Sequence, residues 1–127
     1  MQSILDTNVL LRFLIRDNVA QYKQALRWFK EAEAGERTIV VSPIVVAEIS
    51  FVLETFYKKS RGEVADALEA FVSQRWLEIM ERDVLLGLWP WYRSGLHFVD
   101  SFLLSWAAVH IGDILTFDRQ VHAKKSI

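Results

Sequence analysis

Four carboxylates stand inside or at the ends of apolar runs. Asp6 follows Ile4-Leu5, Glu48 lies within Ile44-Val45-Val46-Ala47-Glu48-Ile49, Asp100 follows Phe98-Val99, and Asp118 follows Ile114-Leu115-Thr116-Phe117. An acid embedded in apolar sequence tends to be drawn out of water, where an unpaired charge is costly. No nearby Lys or Arg serves all four. If the fold brings them together, their mutual repulsion leaves hard divalent cations as the neutraliser, and the first chemistry they suggest is magnesium-dependent cleavage of a phosphate ester.

Taken singly, each acid has a structural reading. Asp100 suits a helix cap, and Asp6 or Asp118 suits the start of a turn. Glu48 resists this treatment, because apolar residues at 44, 45, 47, 49, 51 and 52 leave little polar helix face around it, so a solvent-exposed glutamate is not expected. For one acid structure outweighs function; for the set of four the order reverses.

The elements that must position these acids follow from hydrophobic period. Short apolar runs alternate with long helical patterns, the signature of βαβ units and a parallel sheet. Strands are expected near 2 to 6, 38 to 42, 76 to 80 and 113 to 117. Leu26, Phe29 and Ala32 among charged neighbours mark an amphipathic helix from Gln21 to Ala34, ended by Gly35. Ser42-Pro43 is a helix start running to about Tyr57. Further helices are expected over Arg61 to Gln74, Asp83 to about Tyr92 despite Pro90, and Val99 to Ile111, entered at Asp100.

In parallel α/β sheets, ligands bind beyond the carboxyl ends of the strands, and Asp6 and Asp118 each fall where an expected strand has just finished. Asp100 opens a helix whose free amides favour an anion, and Glu48 lies about a turn inside the helix that begins at Pro43. Four segments can thus converge on one sheet edge. Asp113 precedes its strand and is left outside the site.

With 127 residues the chain is read as a single domain, 1–127, with no internal repeat or linker. Hydrophobic residues make up 52% of it and five are Trp, which raises the prospect of a surface covered by a partner. There is no cysteine, so disulfides, thiolate nucleophiles and Cys-based zinc sites are excluded. No signal-peptide pattern or membrane-length apolar stretch is seen, and the chain reads as soluble and cytoplasmic. Fifteen basic against sixteen acidic residues do not advertise a nucleic-acid binder, so any such role must use local charge.

The segments Ile4 to Arg12, Ser42 to Ile49, Phe98 to Leu104 and Ile114 to Arg119 together resemble the PIN-domain nucleases, and more narrowly the VapC-type toxins of toxin–antitoxin pairs. Their order and spacing cover nearly the whole chain. The resemblance implies a three-layer α/β/α sandwich with a central parallel sheet of four or five strands. It also implies a Mg²⁺ or Mn²⁺ site made by Asp6, Glu48, Asp100 and Asp118, supporting polar roles for Asn8 and Thr116, and endoribonuclease activity leaving 5′-phosphate and 3′-hydroxyl ends. A cognate small antitoxin covering the active site and a homodimer are implied as well. Arg12, Arg16 and Arg119 are candidates for RNA phosphate contacts. Two features depart from the family: where a small-residue pattern often follows the third acid, Phe102, Ser105 and Trp106 make the helix bulkier, and Val121 to Ile127 leaves little room for a last edge strand.

Three rival readings remain. Leu5-Asp6-Thr7-Asn8 looks like the opening of a haloacid-dehalogenase-type phosphatase, but that chemistry wants a second Asp where Asn8 stands. Metal-free cleavage by paired histidines finds no local pattern around His97, His110 or His122. A non-catalytic interaction module would use apolar richness and the Leu88-Trp89-Pro90-Trp91-Tyr92 cluster, although clustered aromatics are more often core.

Overall fold

The expected β-rich runs form three strands in the computed structural model, which describes residues 1–124: β1 (Gln2–Ile4), β2 (Thr38–Val41) and β3 (Leu77–Ile79). They make one parallel sheet in the order β1-β2-β3, with Gln2 opposite Thr38 and Ile39 opposite Leu77. Parallel neighbours cannot be joined by a hairpin, so each crossover carries helices. The first holds α1 (Thr7–Ile15) and α2 (Val19–Glu33), the second α3 (Pro43–Thr55) and α4 (Arg61–Val72). After β3 come α5 (Arg82–Gly87), α6 (Trp89–Arg93), α7 (Phe98–His110) and α8 (Arg119–Lys124).

Local chemistry sets the helix starts. The Asn18 side chain accepts from the Gln21 amide at 3.0 Å, and Ser42 accepts from the Ile44 amide ahead of α3, with Pro43 at the first helical position. Ser60 and Glu63 form a reciprocal capping box on α4. The Ser60 amide and then its hydroxyl hold the Glu63 carboxyl below its ordinary pKa. Gly35, at φ 81°, supplies the left-handed residue that follows α2.

The core lies between the sheet and its helices and includes Leu10, Val41, Val46, Ile49, Leu68, Trp89 and Tyr92, none more than 1% exposed. The Leu88 to Tyr92 cluster is core, as clustered aromatics usually are: all but Pro90 are buried. Behind it sits an arginine brace. The Arg61 guanidinium lies 4.4 Å from the centroid of the Tyr92 ring and donates to the carbonyls of Tyr92 and Leu96 at 2.9 and 2.6 Å. The Tyr92 hydroxyl donates to Glu54 Oε2 at 2.7 Å. Burial first, and then this bond to a carboxylate, pushes the Tyr92 hydroxyl pKa well up. These contacts pin residues 92–96, the turn leading into α7, and so help to fix where that helix begins.

Three expectations are corrected. The stretch after Asp6, where no element is expected, forms α1, with Leu10 and Leu11 buried. The helix expected over 83 to 92 is two short helices, α5 and α6, meeting at Leu88 ahead of Pro90. Residues 113–117 form no strand among the described residues, leaving a sheet of three strands with one edge of β1 free. Local bonds compete with a ladder there. Thr116 Oγ1 accepts from the Asp118 amide, the Thr116 carbonyl meets His122 Nε2 at 2.8 Å, and Ile114 is anchored in a satellite cluster with Trp91, Leu96, Leu104 and Val121. Among the described residues, no helix is long and apolar enough to cross a membrane.

Candidate functional site

Asp6 follows the last residue of the β1 ladder, where the Leu5 amide still donates to the Val40 carbonyl at 2.9 Å. Its backbone is extended and its carbonyl accepts the first hydrogen bonds of α1, but its carboxylate makes no cap bond. The usual structural duty of an aspartate at this position is therefore not performed by its side chain. The next residue reaches across the sheet end: Thr7 Oγ1 donates to Glu48 Oε2 at 3.4 Å. Through this bond the exit of β1 and the second turn of α3 share one polar corner. Thr7 is the site residue that sequence reasoning missed; its signal was its place directly after the first acid, at the start of a helix.

Glu48 is exposed, which corrects the expectation drawn from its apolar neighbours. Val45, Val46 and Ile49 take the core side of α3, while Ile44 and Phe51, 75% and 66% exposed, share the outer face with Glu48. The helix is apolar nearly all round but buried on one side only. Asp100 is half-buried in the first turn of α7, which opens at Phe98 rather than at Asp100, and α7 packs against α3. The helix amides there favour its negative charge.

Asp118 behaves differently. Its Oδ1 accepts from the Gln120 amide at 2.8 Å and its carbonyl from the His122 amide at 3.2 Å, so it starts α8. Thr116 supports it through the backbone. Asn8 is exposed in the first turn of α1. Among the described residues, no three His, Asp or Glu side chains stand together as a metal cluster. The Thr7–Glu48 bond links the residue after Asp6 to the second of the expected acids. Asp113 is turned onto its own chain, accepting from the Ile114 amide at 2.8 Å.

Two of the three cations expected at RNA phosphates, Arg12 and Arg16, have structural occupations. Arg12 donates to both carboxylate oxygens of Asp17 at 3.0 and 3.2 Å, and its buried Nε has no partner among the described residues. Arg16 ends α1 in a left-handed conformation, 4.7 Å from the centroid of the Tyr22 ring. Arg119 is exposed at the start of α8. The three histidines lie apart in function: His97 precedes α7, His110 packs on Trp106 and approaches Glu81, and His122 meets Thr116.

The donor set suits a hard divalent ion in kind. Asp6, Glu48 and Asp100 offer carboxylate oxygens, and none of them has a Lys, Arg or His partner among the described residues. Beside Asp6 opens a cavity of about 270 Å³, walled by Leu5, Val9, Trp28 and Phe29 with Ser3 and Arg37 at its polar side. Charge left unneutralised at the carboxyl end of a parallel sheet, next to a cavity, is the arrangement expected of a ligand site.

Comparison with known proteins gives one match: the PIN domain family model aligns with residues 3–126. No curated protein and no solved structure matches the chain.

Proposed function

Because the chain belongs to the PIN-domain family, whose fold is generally that of a nuclease, we propose that it is a metal-dependent endoribonuclease acting in the cytoplasm as the toxin of a toxin–antitoxin pair. The observation that carries this reading is the polar corner at the end of β1, where Asp6, beside a cavity, and the Thr7-bonded Glu48 have no cationic partner among the described residues. In this reading Asp6, Glu48, Asp100 and Asp118 hold Mg²⁺, with Mn²⁺ as a substitute. Bound there, the ion supplies Lewis acidity to phosphate oxygens and makes water a nucleophile near neutral pH.

The chain's own residues do the rest. Thr7 holds one oxygen of Glu48, which would leave its other oxygen and the Asp6 carboxylate to hold the ion. Asn8, one position further into α1, offers an amide to water or to a ligating carboxylate. Thr116 fixes the backbone of Asp118. Cleavage by water needs no 2′-hydroxyl and leaves no cyclic phosphate; the family resemblance, rather than the use of water, implies 5′-phosphate and 3′-hydroxyl ends.

The α/β/α sandwich of this reading has a fourth strand. Residues 114–117 add in parallel to the free edge of β1, which carries Asp118 to the same sheet end as Asp6. Support comes from the apolar surface left waiting: Ile4 is 67% exposed, and Leu115 and Phe117 are fully exposed. A small antitoxin covers the acidic corner, placing an Arg or Lys among the carboxylates, and the toxin is a homodimer. The exposed apolar positions on α3 and α7, including Phe51, Val99 and Trp106, supply surface for such contacts.

Controlled expression tests the reading. Wild-type protein is expected to arrest growth and Asp6→Asn to be tolerated, with rescue of the wild type by the product of an adjacent gene that co-purifies with it. Equal inhibition by both proteins overturns nuclease toxicity. Failure of any adjacent small protein to bind overturns the toxin–antitoxin assignment.

A further inference from the structure

A second cavity, of about 190 Å³, lies between α1 and α2 and shares two walls, Val9 and Trp28, with the cavity beside Asp6. Its polar groups are unusual in kind. Asn8 and Gln21 bring side-chain amides with no hydrogen bond among the described residues, and Gln24 accepts only from Arg27, at 3.1 Å. Arg12 lines the same space with its guanidinium set by Asp17 and its Nε–H unused. Trp28 is half-buried and, among the described residues, carries no ring contact with another aromatic, unlike its neighbour Phe29, which packs on Phe13, Phe71 and Trp76.

A flat aromatic wall with amide donors and acceptors around it is what an unpaired nucleobase needs: a face to stack on and edges to bond. The space is smaller than the roughly 300 Å³ at which drug-sized pockets begin, which suits one planar ring system. A docked peptide helix would instead want a long apolar groove, and this one is short and rimmed by amides. On another face of α2, turned well away from this cavity, Lys23, Arg27 and Lys30 recur at helical spacing beside a further cavity, which Glu36 and the Arg37-paired Glu31 also line. That stripe offers charge to a phosphate backbone.

We infer that the α1–α2 cavity is a nucleobase pocket, in which Trp28 stacks on and Gln21 and Gln24 read a base flanking the phosphate held near Asp6. Resting on the nuclease reading for its substrate, it assigns the sequence preference of cleavage to these side chains.

The test separates binding from turnover. Side-chain indole and amide NMR signals of the metal-free Asp6→Asn chain are followed while adenosine, guanosine, cytidine and uridine 5′-monophosphates, and inorganic phosphate, are added. The Trp28 indole and the Gln21 and Gln24 amides should move with at least one nucleotide and stay still with phosphate. Trp28→Ala should weaken binding of a short unstructured RNA about tenfold, with Trp28→Phe restoring most of it. Gln24→Ala, at a half-buried position, serves as the second variant should Trp28→Ala fail to fold, and should alter which nucleotide binds best. Still signals with every nucleotide, equal movement with phosphate, or a response confined to an amphipathic helical peptide each overturn the pocket. RNA cleavage without these responses removes this inference alone; the responses without any cleavage keep the pocket and remove the nuclease.

Discussion

Thr7 Oγ1 donates to Glu48 Oε2 at 3.4 Å, joining residues 41 positions apart at the carboxyl end of the sheet. The bond is long and exposed, so its worth to the fold is small, but it restricts one carboxylate that the proposed chemistry needs oriented.

Thr7→Val is therefore expected to change stability by less than about 1 kcal/mol while lowering cleavage about tenfold, read as kcat rather than KM. Denaturant melts and steady-state kinetics on a fluorogenic RNA check both halves. A large stability loss with unchanged kcat would make the contact merely structural.

Phe117 separates the two arrangements of the C-terminal segment. Fully exposed as it stands, it should tolerate Phe117→Ser with a stability change within about 0.5 kcal/mol. If residues 114–117 pair with β1 in the active protein, the same substitution should reduce cleavage and speed amide exchange at Ile4. Unchanged activity and unchanged exchange would count against a fourth strand.

Tyr92 gives a pH prediction. Its pKa is raised in the folded state, so the unfolded chain ionises first as pH climbs past about 10, and the contribution of Tyr92 to stability is full below that and lost above it. Tyr92→Phe should cost about 1 kcal/mol near neutral pH, through the lost bond to Glu54, and should flatten the alkaline fall in stability. Matched melts of both proteins from pH 7 to 11 provide the comparison, and parallel pH curves would refute the assignment.

Much of this architecture was legible because it is written locally. Ser42-Pro43, the Ser60–Glu63 box and Gly35 act within a few residues of themselves, and the strand runs at 38 to 42 and 76 to 80 needed only their apolar β-formers. What failed depended on neighbours in space. The burial of Glu48 could not be judged from an apolar window, because nothing in that window says whether a second layer covers the outer face of α3. Residues 113–117 have strand composition, but Thr116 and Asp118 offered bonds that a period count ignores. Helix α1 was hidden because an aspartate, a threonine and an asparagine at 6 to 8 read as a turn, although the same residues also start helices. For the site, residue type and order were visible, whereas the corner linking Thr7 to Glu48 emerges only from the crossover geometry.

The most direct measurement is RNA cleavage by the purified chain with Mg²⁺ or Mn²⁺ and with chelator, for wild type, Asp6→Asn, Asp100→Asn and Asp113→Asn, each confirmed folded by melting. The account predicts metal-dependent cleavage by wild type and Asp113→Asn, products with 5′-phosphate ends, and losses of at least about a hundredfold in Asp6→Asn and Asp100→Asn. Cleavage that persists in chelator, or that survives in both folded Asp6→Asn and Asp100→Asn, would contradict it.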